Sequence, residues 1–156
     1  MSDPFENYLR NEVVAVSKRL NINHVVLNYH ERSYLFEEII ENFFSIKDYD
    51  FPLWAFVKDD VSMQDKDAWR WVEDFIGNEK VIMFFERNED QNFILFDNGA
   101  DLVNVLSESF LFTFYLTNSE TDYLLIFNRY DFLVAAGAAT SWLQHRKTLR
   151  DDPEAS

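Results

Sequence analysis

The chain has 156 residues, no cysteine, and a net charge of −14 from 28 acidic and 14 basic residues. These values exclude a disulfide framework, a thiolate metal site and a cysteine nucleophile, and a surface of this sign repels nucleic acid and anionic lipid. Aromatic residues make up 17% of the chain. Because acidic disordered chains are poor in such residues, we expect one folded domain over residues 1–150.

The first part of the chain predicts two helices with one undecided segment between them. Apolar residues at helical spacing after Asp3 and Pro4 predict a helix over residues 4–20. Residues 24–29 fit either a short strand or the start of the next helix. From Ser33, apolar pairs recur every four residues with glutamates between them. This spacing predicts an amphipathic helix with an acidic outer face.

The middle of the chain predicts a strand, a short helix and a hairpin. The strand covers residues 51–57, with Pro52 at its entrance, where a missing N–H is tolerated. The short helix follows an aspartate cap and ends at Gly77. Residues 81–86 and 93–96 are two apolar runs joined by a polar link. They predict a pair of antiparallel strands.

The last part predicts a short helix after Gly99, three strands, a final helix over residues 138–149, and a disordered acidic tail over residues 151–156. The three strands are joined by hairpin-like links and cover residues 111–116, 123–127 and 132–136. The order of elements favours an α+β fold with a mainly antiparallel sheet of about five to six strands, flanked by N-terminal and C-terminal helices.

The sequence carries no motif for catalysis or cofactor binding. The three histidines are too scattered for a metal site, and no serine lies in the G-x-S-x-G pattern. The acidic loop at residues 59–67 lacks the glycine and the glutamate that a calcium-binding EF-hand loop needs. Three widely separated glycines cannot form a phosphate-binding loop. We therefore expect no cofactor, no metal site and no enzymatic activity.

The negative charge is concentrated in residues 34–101, which carry seventeen acidic and six basic residues. A field of this kind accelerates encounter with a basic protein partner. Trp71 lies on the flank of its predicted helix beside charged residues, which makes it a candidate anchor of an interface. The acidic residues least explained by folding are the candidate contacts, namely Asp59, Asp60, Asp65, Asp67, Glu86, Glu89 and Asp90.

In composition and element order, the chain resembles the small cytoplasmic immunity proteins of bacterial toxin–immunity pairs. Residues 114–118 and 123–131, followed by Gly137, are similar to the strand pairs of several such families. The resemblance covers the whole chain, but no single family is assigned and no functional residues are carried over. It implies a cytoplasmic inhibitor that binds one cognate toxin, often a nuclease, and performs no chemistry.

Three other functions stay open at the level of the sequence. The first alternative is an acidic DNA mimic that blocks a DNA-binding or restriction enzyme. The second is a scaffolding domain whose charge only keeps it in solution. The third is an enzyme with a cavity that gathers buried carboxylates of raised pKa. We expect no direct binding of the chain to nucleic acid, because a surface of this charge repels it. We also expect no binding to membranes, since the chain lacks a signal-peptide pattern and a long apolar run.

Overall fold

A seven-stranded antiparallel sheet runs through the centre of the protein, in a computed structural model that describes residues 7–45, 52–110 and 112–151. Its strands are β1 (His24–Val26), β2 (Val61–Gln64), β3 (Val81–Phe85), β4 (Phe93–Phe96), β5 (Phe114–Thr117), β6 (Tyr123–Phe127) and β7 (Phe132–Gly137). They lie in the order β1-β4-β3-β5-β6-β7-β2, and all neighbours are antiparallel. The predicted α+β class is confirmed, with seven strands rather than five or six.

Five α-helices and two short 3₁₀ helices flank the sheet in the described residues. The α-helices are α1 (Tyr8–Arg19), α2 (Tyr29–Phe43), α3 (Val72–Ile76), α4 (Gly99–Glu108) and α5 (Thr140–Asp151). The 3₁₀ helices cover Leu53–Phe56 and Ala68–Arg70. At the start of α2, Asn28 Oδ1 accepts the Glu31 N–H and Glu31 Oε1 accepts the Asn28 N–H, at 2.9 and 3.0 Å. This capping box fixes where α2 begins.

The helices form one layer on each face of the sheet. Ile82 and Phe84 of β3 point to one face, where they pack with the apolar residues of α2 and with Leu53. Val81, Met83 and Phe85 point to the other face, which is covered by α1, α3, α4 and α5. Every residue of β6 is buried, as its uninterrupted apolar sequence predicts for a central strand.

The prediction of a strand at residues 51–57 is wrong. Leu53–Phe56 form a 3₁₀ helix, and only Val57 makes a single bridge, to Phe44. The N–H groups of Leu53 and Trp54 bond to the side chains of Glu86, the residue after β3, and of Tyr115 in β5, at 3.0 and 3.1 Å. A run of apolar residues cannot reveal this arrangement, because the partners are distant in sequence.

The other boundaries differ by smaller amounts. The undecided segment splits into β1 and the start of α2, and β2 lies inside the region predicted as an acidic loop. The final helix extends to Asp151, the first residue of the predicted tail. The described residues leave out 1–6, 46–51, 111 and the rest of the predicted tail, 152–156. None of the helices in the described ranges has the length and apolar character needed to cross a bilayer.

Candidate functional site

The outward face of α2 places four carboxylates around one exposed tyrosine. Glu31, Glu37, Glu38 and Glu41 lie three or four residues from Tyr34 or from one another, so they share one side of the helix. The Tyr34 side chain is 67% exposed, although its ring is large and apolar. The opposite side of α2 is the apolar one that packs on the sheet. These five residues are called the α2 face below.

The groups of the α2 face are not neutralised by cations within the described residues. None of its four carboxylates takes part in the ion pairs found there, which join Arg19, Arg129, Arg146 and Arg150 to other acids. A hydrogen bond between the Tyr34 hydroxyl and Glu38, together with the negative charge of Glu38, raises the pKa of Tyr34. The Tyr34 hydroxyl therefore keeps its proton.

Glu37 and Glu41, two acids of the α2 face, are not explained by the stability of the helix. Glu41 lies in the last turn, and no basic residue occupies that turn. The helix dipole favours cations at this end and disfavours carboxylates. Glu37 and Glu41 are also like charges four residues apart, a spacing that destabilises helices by about 0.2–0.5 kcal/mol. Neither position therefore adds to the stability of α2.

Asp59 and Asp60, two of the predicted contact residues, lie beside the C-terminal end of α2. The Lys58 N–H donates to the Phe43 carbonyl at 2.9 Å, and Lys58 Nζ reaches the Glu41 carbonyl at 3.3 Å. Both aspartates are exposed. They extend the acidic surface from the α2 face onto the loop that leads to β2.

Asp65, Asp67 and Trp71 belong to a different part of the molecule. Asp65 and Asp67 follow β2 at its far end, where the Asp65 N–H donates to the Asp131 carbonyl at 2.9 Å. Trp71 is half-buried, and the Arg146 guanidinium of α5 lies 4.4 Å from the centre of its ring. A partner could contact this face of Trp71 only after displacing Arg146.

Glu86 and Asp90, by contrast, are interior residues. Their side chains belong to residues that are 5% and 4% exposed. Asp90 accepts the Arg10 N–H at 2.9 Å and so tethers the first turn of α1, while its other oxygen accepts from Asn92. Both were predicted as contact residues because acids near a polar link are usually solvated, whereas here their side chains accept backbone N–H groups.

The eight predicted contact residues therefore do not form one surface. Glu89 is exposed and pairs with Arg129 at 3.5 Å, at the opposite end of the sheet from Asp59 and Asp60. No protein-family model, curated protein or solved structure matches the chain. The resemblance to immunity proteins thus stays an expectation, and the functional argument rests on the geometry.

A cavity of about 810 Å³ opens at the end of the sheet where the β3–β4 link, the β6–β7 link and the start of α1 meet. Three arginines line it, Arg32, Arg87 and Arg129, together with Glu89, Asp90 and Asp131. In this strongly acidic protein the cavity is therefore balanced in charge. A smaller pocket of about 250 Å³ adjoins it and shares Asn88, Glu89, Thr113 and Arg129 with it.

Glu86 lines the smaller pocket with a carboxyl group of which only one oxygen has partners. Its Oε1 accepts the Leu53 N–H at 3.0 Å and the Tyr115 hydroxyl, which itself accepts the Trp54 N–H at 3.1 Å. Its Oε2 is buried and has no hydrogen-bond partner. Burial raises the pKa of Glu86 above its ordinary value of 4.5, and burial together with the charge of Glu86 raises the pKa of Tyr115.

The sequence analysis missed Tyr34 of the α2 face and Tyr115 beside Glu86. Tyr34 lies on the polar side of the α2 pattern, three and four residues before Glu37 and Glu38, and this spacing could have identified it. Tyr115 sits in an apolar strand with no signal that its hydroxyl meets a carboxylate. In residues 7–45, 52–110 and 112–151, no group of three His, Asp or Glu side chains is arranged to hold a metal ion.

The substitution Glu86→Gln is expected to change the pH dependence of stability. A carboxyl whose folded pKa is raised binds more protons in the folded than in the unfolded state, so its contribution to stability falls as pH rises above about 4.5. Glutamine keeps an oxygen for the Leu53 and Tyr115 donors and does not titrate. We expect the stability of E86Q relative to the wild type to increase between about pH 5 and about pH 8. Urea denaturation of the wild type and E86Q at both pH values measures their free energies of unfolding. If these differ by the same amount at both pH values, the prediction is contradicted.

Proposed function

We propose that the protein is a non-enzymatic binding protein that contacts a basic partner through the α2 face and acts as an immunity protein against a basic toxin. The observation that supports this proposal is the exposed Tyr34 within four carboxylates that have no cationic partner in the described residues. A protein that needed these acids only for charge would not require a bare aromatic ring among them.

The two kinds of group have complementary roles in such a contact. Carboxylates steer a basic partner during diffusion and raise the rate of association, an effect that weakens as salt is added. Tyrosine buries a large ring at low entropic cost and keeps one polar atom for a hydrogen bond, which is why it is common among the residues that dominate binding energy. The α2 face would therefore supply both a high rate of association and a central anchor.

A nuclease is the class of toxin that best fits this surface. Enzymes that hold phosphate backbones need an extended basic surface, and an acidic protein bound there would exclude the nucleic acid. Asp59 and Asp60 would widen the contact beyond the helix. The absence of cysteine agrees with the cytoplasm as the site of action, because that compartment gives disulfides no stabilising role.

A capture experiment with matched variants tests the proposal. The immobilised wild type, the variant E37Q/E38Q/E41Q and the control E73Q/E79Q/E120Q are each incubated with lysate of the organism that encodes the chain. Both variants lose the same charge, and the residues of the control are exposed and lie outside α2. We expect one basic protein on the wild type and on the control, and at least about tenfold less on the α2 variant.

Repeating the capture at about 0.5 M salt separates the alternatives, because surface electrostatics are then strongly screened. Retention of a single toxin-like protein, whose activity falls when the wild type is added, supports an immunity role. Several unrelated DNA-binding proteins that are released by salt and displaced by DNA would indicate the DNA mimic instead. Equal capture by the wild type and both variants would reject the α2 face as the contact.

A further inference from the structure

The pocket beside Glu86 contains a buried acceptor that nothing in the described residues uses. Glu86 is 5% exposed, and its Oε2 has no hydrogen-bond partner although its Oε1 has two. A buried polar atom without a partner is costly, because it gives up its bonds to water and receives none in return. Glu86 lines this pocket, and a ligand that donates a hydrogen bond to Oε2 would satisfy the unpartnered atom.

The other walls of the pocket indicate the charge of this ligand. Glu89 supplies a second carboxylate, and the lining holds one basic residue, Arg129. Trp54 and Tyr130 form an edge-to-face aromatic pair with ring centres 5.9 Å apart. Carboxylates combined with aromatic faces are the chemistry that recognises ammonium and guanidinium groups, through charge-assisted hydrogen bonds and cation–π contact.

The size of the pocket limits the ligand further. At about 250 Å³, it is smaller than the roughly 300–1,000 Å³ of pockets that take whole cofactors or drug-sized molecules. It is large enough for the end of one arginine or lysine side chain. The geometry points to a binding pocket for a guanidinium or primary ammonium group, with Glu86 Oε2 as the buried acceptor and Trp54 and Tyr130 as the aromatic wall.

Arg129 occupies the position of an internal competitor at the mouth of this pocket. Its guanidinium is 3.5 Å from a Glu89 oxygen, and its side chain is 67% exposed. An exposed ion pair of this length contributes little stability, so an incoming cation can displace Arg129 from Glu89. Removing the charge of Arg129 should therefore strengthen the binding of an external cation.

If the protein binds a basic partner as proposed above, a lysine or arginine of that partner is the natural source of the cation. This identification rests on the proposed function, whereas the pocket itself does not. A small free amine or guanidine would use the same groups. The experiment below therefore begins with small probes, which bind or fail to bind whatever the partner is.

The test measures binding of n-butylguanidinium and n-butylammonium to the full chain by nuclear magnetic resonance. The uncharged isostere n-butylurea serves as the control probe. We expect saturable shifts of the Trp54 indole N–H and of the amides at residues 86–89 and 129–130. The dissociation constants should be in the millimolar range, with butylurea at least about tenfold weaker.

Four variants make the result specific. E86Q should weaken binding of the charged probes about tenfold, because an amide at the position of Oε2 repels a donor. R129Q should strengthen it severalfold. Y130A alters only an exposed side chain, so it reports on the pocket even if E86Q fails to fold. E37Q/E38Q/E41Q removes three negative charges from α2 and should leave pocket binding unchanged.

The outcomes separate this inference from the proposed function. Equal shifts with butylurea, unchanged affinity in both E86Q and Y130A, or shifts confined to α2 would overturn the pocket. Saturable pocket binding without any captured partner leaves the pocket standing while the proposed function fails, and assigns a small free cation as the ligand. Competition between n-butylguanidinium and a captured partner assigns the cation to a side chain of that partner.

Discussion

Replacing Gly137 by alanine is expected to remove about 3–5 kcal/mol from the free energy of unfolding. Gly137 ends β7 opposite Tyr123 and has a φ of +65°, which L-residues adopt only at a cost. A Cβ there would lie 2.6 Å from the Asp122 carbonyl oxygen and 2.8 Å from Cε1 of Phe43 in α2. The carbonyl cannot retreat freely, because it accepts the Ala138 N–H at 2.9 Å.

Chemical denaturation followed by circular dichroism measures this loss, and Gly77→Ala provides the matched control. Gly77 also has a positive φ, +60°, but a Cβ added there meets no atom within 4 Å. G77A should therefore show only the cost of the backbone conformation, about 1–2 kcal/mol. Similar losses in both variants would mean that α2 does not pack tightly against the end of β7 at Gly137.

The strands that the sequence predicts well are those with long apolar runs. Residues 123–127 and 93–96 match β6 and β4 in full, because burial of these strands leaves no polar interruption. Of the two edge strands, β1 stays undecided and β2 is missed, for the opposite reason. β1 and β2 have only three and four residues, and each pairs with a single neighbour, so local pattern carries little of their stability.

The candidate site was predictable only in part, since charge is a property of sequence and burial is not. The acidic character of α2 follows from its residue spacing, and exposure of its glutamates follows from the apolar opposite side. The burial of Glu86 and Asp90 does not, because their partners Leu53 and Arg10 are 33 and 80 residues away in the chain. Long-range hydrogen bonds of this kind leave no periodic signal.

The α2 face also implies an opposition between stability and binding. Acidic residues toward the C-terminal end of a helix oppose its dipole, and lysines there would complement it. A sequence adapted only for folding would therefore favour the positive charges that the last turn of α2 lacks. If the proposed function is correct, one set of substitutions should shift stability and affinity in opposite directions.

The variant E37K/E38K/E41K is expected to bind the captured partner about a hundredfold or more weakly at low salt, because three attractions become three repulsions of up to about 1 kcal/mol each. The same variant should unfold with a free energy equal to or about 0.5 kcal/mol above that of the wild type, since a lysine at position 41 complements the dipole at the last turn of α2 and the like-charge spacing of positions 37 and 41 is unchanged. Isothermal titration calorimetry and urea denaturation measure the two quantities.

The control E73K/E79K/E120K makes the same change in net charge away from α2, so it isolates the effect of position. A contact on the α2 face predicts that the control keeps affinity within about tenfold of the wild type, and that the α2 variant also loses most of the salt dependence of binding. Equal weakening in both variants would assign the charge only to long-range steering. A loss of affinity accompanied by a loss of stability would assign the glutamates to folding rather than to a contact.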